Sequence, residues 1–234
     1  MLYDASRAGN AEASWFDPAW WSRRGEVRAA AAGRGATLFV DADGRHLVLR
    51  HYRRGGWAAR LSTDRYLWRG DDAIRSFGEW HLLYLMRRAG LPVPVPIAAS
   101  YRRTGRYTYS ADLLTEQIPA VISLAARLRT AALPPASWNA IGRCLRRFHG
   151  DGICHADLNA HNVLLNDAQQ PWLVDFDRGR LLRPGFWCDS NLVRLRRSVE
   201  KITDALPAAH FSEGDWAALL SGYFAAVQPL AALQ

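Results

Sequence analysis

The 234-residue sequence predicts an α+β protein in two lobes, a small antiparallel sheet followed by a mainly helical half. Three observations predict it. Short apolar runs punctuated by glycine turns occupy the region before residue 116, and apolar residues at helical spacing dominate the region after it. Between them, Thr115-Glu116-Gln117-Ile118-Pro119 reads as a joint. Length and 49% apolar content alone allow one large domain or two lobes that each bury a core; the lobes are drawn as residues 1–116 and 117–234.

Taken in order, Gly33-Arg34-Gly35 precedes the strand Thr37-Leu38-Phe39-Val40, and Asp41-Ala42-Asp43-Gly44 turns the chain into the strand His46-Leu47-Val48-Leu49-Arg50. Gly55-Gly56 lies in a second basic loop, suited equally to substrate contact and to a plain linker. Asp71 or Asp72 caps a helix to about Ala89, with Ile74, Phe77, Leu82, Leu85 and Met86 on its apolar side, Glu79 in its middle and Gly90 at its end. Pro92, Pro94 and Pro96 forbid its continuation and lead to a strand over 106–114. Pro134-Pro135 then precedes a helix capped by Ser137, with Ile141, Cys144, Leu145 and Phe148 inward. Further helices run from about Asp189 to Ile202 and from a Ser212 cap to about Val227.

The most specific chemistry lies in His155-Ala156-Asp157-Leu158-Asn159-Ala160-His161-Asn162, followed thirteen residues after Asn162 by Asp175-Phe176-Asp177. Asn162-Val163-Leu164-Leu165 and Trp172-Leu173-Val174, with a turn at Asn166-Asp167, read as a hairpin that brings the two segments together. Phosphoryl transfer from ATP needs a carboxylate to orient the attacking hydroxyl, and an amide and a second carboxylate to hold Mg²⁺ across the phosphates. Asp157, Asn162 and Asp175 fill those roles at the spacing of a kinase catalytic loop and metal-binding turn. The fold expected is thus a two-lobed, protein-kinase-like one. A surface Asp/Asn loop closing Asx turns, or a catalytically dead relative, is the alternative.

That fold places further roles. Kinases pair the ATP phosphates with a strand lysine held by a helix glutamate, but Lys201 is the single lysine and lies after both motifs. Arg50 is therefore the candidate, paired with Glu79, since a guanidinium spans two phosphate oxygens; a solvated strand-end arginine and an exposed helix acid are the alternatives. Gly33 and Gly35 are candidates to cover the phosphates, although an ordinary glycine turn explains them equally well. Backbone groups near Glu116 and Ile118 are candidates to bond the adenine edge.

The net charge of +8 points to an anionic partner, a nucleotide, a nucleic acid or a phospholipid surface, while the arginine and alanine excess also fits a genomic compositional bias. Cys144, Cys154 and Cys188 make no CxxC pair and are expected to be reduced core thiols; His149, His155 and His161 match no zinc spacing. No apolar run approaches the roughly 18 residues of a membrane span, and the first residues lack a signal-peptide pattern, so a cytoplasmic protein is expected. Trp15-Phe16-Asp17-Pro18-Ala19-Trp20-Trp21 before Arg23-Arg24 suits core packing or a membrane interface.

The segments from His155 to Leu165 and from Leu173 to Arg180, with Val48 to Gly56 and Gly90 to Pro94, resemble the 3-deoxy-D-manno-octulosonic acid (Kdo) kinases of the lipopolysaccharide core kinase family. The resemblance spans most of the chain. It implies ATP-dependent phosphorylation of the 4-hydroxyl of Kdo on Kdo–lipid A, by a peripheral protein on the anionic cytoplasmic face of the bacterial inner membrane. The Asn191 to Ser198 run also resembles that family, its arginines facing either the anionic acceptor or solvent. No Ala-Pro-Glu segment or long activation loop follows Asp175, which argues against a peptide substrate. An aminoglycoside- or choline-type phosphotransferase shares the HxDxxxxN loop and is the alternative. A non-catalytic lipopolysaccharide-binding protein explains the charge but does not require the three site residues together. No nucleic-acid-binding motif is present, and no nucleic-acid partner is expected.

Overall fold

The computed structural model describes residues 1–31, 37–42, 44–53 and 64–225, which form two compact units. The first comprises Met1–Gly90 with Pro94–Ile118, the second Leu91–Val93 with Pro119–Gln234. Gly33, Gly35 and the Gly55-Gly56 loop lie outside the described residues.

An antiparallel sheet builds the first unit from β1 (Leu2–Tyr3), β2 (Val27–Ala31), β3 (Thr37–Ala42), β4 (Arg45–His51), β5 (Tyr66–Leu67), β6 (Pro96–Gly105) and β7 (Thr108–Glu116). Its order is β1-β6-β7-β4-β3-β2, with β5 also on β7. Strand alternation buries Leu47 and Leu49 of β4 against Trp21, Val40, Ile97 and Leu114, and turns Arg50 to the other face. Trp15 and Trp20 pack partly buried against this core, and Trp21 Nε1–H donates to the Trp15 carbonyl at 2.8 Å. The tryptophan-rich segment, carried after α1 (Ala5–Ala8) by a 3₁₀ turn (Ala13–Phe16) and α2 (Pro18–Arg24), is thus a structural cap on the sheet.

Two expectations for this unit are corrected. The strand read as 106–114 is the second arm of a β6–β7 hairpin, and Thr115 and Glu116 belong to β7. The sequence reading lost β6 because it opens on a proline and ends in exposed arginines. Helix α3 (Arg75–Arg88) starts after Ile74, with no side-chain cap; Asp71 instead accepts from Tyr101 OH at 2.7 Å. Its buried face is Ser76, Glu79, Trp80, Leu82, Leu83 and Met86, whereas Leu85 is exposed.

Helices dominate the second unit: α4 (Leu124–Thr130), α5 (Pro135–Gly150), α6 (Phe186–Thr203) and α7 (Glu213–Phe224). Short strands β8 (Val121–Ser123), β10 (Val163–Asn166) and β11 (Pro171–Leu173) pair in the order β11-β10-β8, and β9 (Ile153–Cys154) pairs with β12 (Arg180–Leu181). The expected β10–β11 hairpin forms, with Val163 opposite Leu173 and the Asn166 side chain accepting from Gln170 N–H at 2.8 Å. Ser212 and Asp215 make the capping box of α7. The Ser137 cap does not form: Pro134 occupies the cap, and buried Ser137 donates to the Gln169 side chain at 3.2 Å. Ile141, Cys144, Leu145 and Phe148 do point inward, and burial pushes the Cys144 thiol up to about 12, leaving it a neutral core group.

Helices α5 and α7 touch backbone to backbone. A Cβ on Gly142 would fall 1.9 Å from the Leu219 carbonyl oxygen, and one on Gly222 would fall 2.1 Å from that of Asn139. Both glycines are required by contact, not by conformation.

Candidate active site

In the second unit, Gly152 at φ 74° carries the chain from α5 into β9, and its carbonyl accepts from Leu182 N–H at 2.8 Å beside the β9–β12 ribbon. The next residue after β9 is His155, which is buried. Its Nδ1 accepts from Asp157 N–H at 3.1 Å, so the ring proton sits on Nε2 and donates to the Val174 carbonyl at 3.0 Å. One imidazole thereby ties the loop bearing Asp157 to the residue preceding Asp175. Burial, the largest influence, pushes the His155 pKa below its usual value, as this neutral tautomer requires.

The loop closes on itself as well. Asn162 Nδ2 donates to the Asp157 carbonyl at 2.9 Å, which directs Asn162 Oδ1 away as an acceptor. Val174 N–H donates to the Asn162 carbonyl at 3.1 Å, so the hairpin brings the Asp175 turn back to Asn162. Asp175 is exposed at φ 64°, a left-handed conformation that Asp tolerates better than most residues. Phe176 behind it is buried, stacked on Phe148 at 5.8 Å and tilted against His155 at 4.7 Å. The apolar residue of the turn anchors it and leaves the acid outward.

Helix α6 holds the loop from the side. Asn191 accepts from His155 N–H at 3.3 Å and donates to the His155 carbonyl at 3.0 Å, and Ser198 Oγ accepts from Ala160 N–H at 3.1 Å. Asp157 is two-thirds exposed, receiving Asn159 Nδ2 at 3.2 Å and Arg194 Nη1 at 3.5 Å. It forms part of the wall of an open groove of about 690 Å³ whose other side is α6.

In the first unit, Arg50 meets Glu79, as the sequence suggested. Glu79 is buried, and Oε2 accepts from both Arg50 and Tyr52 OH; Arg50 also donates to Tyr52 OH at 3.0 Å. Glu116 is engaged within its own unit: its N–H donates to the Val95 carbonyl at 2.9 Å, and its carboxylate pairs with Arg45 at 3.1 Å and Arg7 at 3.6 Å. Ile118 is buried.

Sequence reasoning missed Tyr52, Asn191 and Ser198. Tyr52 was findable, because two residues beyond Arg50 is the same strand face. Asn191 and Ser198 lie in a run singled out for its arginines alone, and their own role exists only once α6 lies against the loop. The described residues contain no cluster of three or more His, Cys, Asp or Glu side chains suited to a metal.

A strand cation held by a helix acid, and an HxDxxxxN loop joined by a hairpin to an Asp-Phe-Asp turn, place the protein in the kinase-like α+β class. The Lipopolysaccharide kinase (Kdo/WaaP) family model matches residues 18–223, and the chain belongs to that family, which makes it a kinase. It is 41% identical over 215 residues to the 3-deoxy-D-manno-octulosonic acid kinase of Actinobacillus succinogenes, covering 89% of each chain. The protein of the same name from Xylella fastidiosa strain M12 is 46% identical over 86% of this chain and 80% of its own. That of Haemophilus influenzae is 40% identical over 95% of both. Among solved structures, WaaP in complex with acyl carrier protein aligns with a TM-score of 0.55 at 20% identity, over 85% of this chain and 78% of that one. That likeness supports the expected fold class. No helix among the described residues is long and apolar enough to cross a membrane.

Proposed function

We propose that the protein transfers the γ-phosphoryl group of ATP to the 4-hydroxyl of Kdo on Kdo–lipid A. The hydrogen-bonded loop and hairpin that carry Asp157, Asn162 and Asp175 together are the observation behind this reading. The names of the relatives supply the acceptor.

Asp157 accepts the proton of the attacking hydroxyl, with Asn159 and Arg194 holding its carboxylate toward the groove. The donors fit Mg²⁺, a hard cation that takes oxygen ligands: Asn162 offers Oδ1 because its amide nitrogen is committed to the Asp157 carbonyl, and Asp175 offers an exposed carboxylate. Bound there, the ion would neutralise charge on the phosphates. Residues 1–116 act as the nucleotide lobe, where Arg50, fixed by Glu79 and Tyr52, takes phosphate oxygens as a two-pronged donor. Ile118 is a better candidate than Glu116 for the adenine edge because the Glu116 N–H already has a partner. Residues 117–234 carry the chemistry and the acceptor.

An amphiphilic acceptor suits the surroundings of Asp157. A second groove of about 450 Å³, whose apolar lining is Leu192, Val193, Trp216, Leu220 and Phe224, shares Asp189, Val193 and Arg197 with the first, offering an acyl chain a path beside the polar groove. The net charge of +8 favours peripheral attachment at the anionic cytoplasmic face of the inner membrane. The test is transfer from labelled ATP and Mg²⁺ to Kdo–lipid A, beside aminoglycosides and choline, with the phosphate located by NMR. Phosphate on the Kdo 4-hydroxyl is expected; transfer only to another acceptor would keep the kinase and discard this substrate.

A further inference from the structure

We propose that Arg197 and Lys201, with Arg194, form an oxyanion site that selects an acidic acceptor. The inference rests on Asp157 receiving the acceptor hydroxyl. Positions 194, 197 and 201 lie three and four residues apart, so their side chains share one stripe of α6. That stripe lines the groove of Asp157 and Asn159. The adjoining stripe, with buried Leu195 and Val199, packs inward, and Asn191 and Ser198 bond the loop itself. The cations are therefore held in register with Asp157 by the same helix that fixes the loop.

Their pairing differs from that of a neighbouring arginine. Arg196, on the other side of the helix, is bound by Glu200 at 2.7 Å and by Glu213. Arg194 reaches Asp157 at 3.5 Å. Among the described residues, Arg197 and Lys201 make no ion pair or side-chain hydrogen bond, although both line the groove. The groove thus sets three cations against two carboxylates, Asp157 and Asp189. Two uncommitted cations beside a proton-accepting carboxylate attract a substrate that brings its own negative charge. At 1.5 Å per residue, Arg197 lies only about 4.5 Å along the axis from Arg194, and Lys201 about 10 Å. An oxyanion on or near the sugar that offers its hydroxyl to Asp157 falls within this span. Its chemistry is that of a carboxylate of the sugar acid or a phosphate of the lipid anchor.

The test is steady-state transfer to Kdo–lipid A by Arg197→Gln, Lys201→Gln and the double variant; both side chains are exposed, so folding is not at issue. The double variant is expected to raise the acceptor KM at least tenfold while the ATP KM stays within twofold. Native acceptor, its carboxyl methyl ester and acceptor stripped of lipid phosphates separate the sources. The modification that costs the wild type as much as the double substitution, and costs the double variant nothing further, identifies the group. An acceptor KM within twofold of wild type in the double variant, or a wild type indifferent to both modifications, would overturn the oxyanion site while leaving the kinase reading intact. Should the wild type phosphorylate no Kdo acceptor, that reading fails separately. Binding of free Kdo and of inorganic phosphate, followed by NMR titration, then decides: weaker binding by the double variant supports the site, and equal binding overturns it.

Discussion

His155 shows how a side chain outside the chemistry sets it. Its neutral form accepts the Asp157 N–H and donates to the Val174 carbonyl, and a second proton would turn the acceptor nitrogen into a donor facing a donor. His149, in the same unit, is buried with its Nδ1 2.7 Å from Tyr223 OH, and burial lowers its pKa from 6.5 to about 4. Both imidazoles bind protons more weakly folded than unfolded. Their stability contribution is complete above pH 6.5 and is lost as pH falls from there toward the folded values. For His149 that window runs from 6.5 to about 4 and corresponds to about 3 kcal/mol. Urea denaturation between pH 7.5 and 4.5 should show stability falling across it, and His149→Asn should flatten the slope; a slope unchanged in the variant would contradict the assignment. The three residues of the proposed phosphoryl-transfer set were legible because a loop and a two-strand hairpin are local structures that sequence spacing encodes. The pairing of Arg50 with Glu79 was legible from a strand expected to end on Arg50 and a helix expected to carry Glu79 in its middle, whereas the contacts of Asn191 and Ser198 join residues 36 and 38 apart.

Among the elements, α5 and α7 owe their contact to two glycines. Gly142→Ala would drive a methyl group into the Leu219 carbonyl, with backbone on both sides and no flexible side chain to yield. A loss of about 2 kcal/mol or more in denaturant titration is expected, and a neutral effect would contradict the packing. The α3–β4 junction makes a different prediction. Glu79→Ala leaves Arg50 and Tyr52 without their shared carboxylate in a largely buried position, which should cost about 3 kcal/mol and raise the ATP KM. Stability and ATP KM both unchanged would remove the pair from the nucleotide site. Elements were read from sequence where one periodicity dominated, as in β4, α5 and the β10–β11 hairpin. In α3 the run Trp80-His81-Leu82-Leu83-Tyr84-Leu85-Met86 is apolar on most sides, and packing on the sheet decided that Leu83 turns in and Leu85 out. The seven-residue α4 is too short to announce itself, and it is held by contact with α6 and the β8–β10 strands.

At the scale of the whole molecule, the excess of eight positive charges predicts that binding to anionic vesicles is strong at low salt and weakens steeply as ionic strength shortens the screening length. Vesicle cosedimentation should fall several-fold between about 0.05 and 0.5 M salt, and salt-independent binding would instead assign the contact to apolar surface such as Phe186 and Phe224. Composition pointed to an anionic partner but did not distinguish nucleotide, nucleic acid and membrane; the family assignment and the groove beside Asp157 narrow that choice. Asp157→Asn, which keeps the side chain's shape and removes its basicity, is the most direct test of the proposed mechanism. Transfer to Kdo–lipid A should fall about 10³-fold while ATP affinity by equilibrium binding stays within twofold. Turnover near wild type would mean that Asp157 is not the residue that takes the hydroxyl proton.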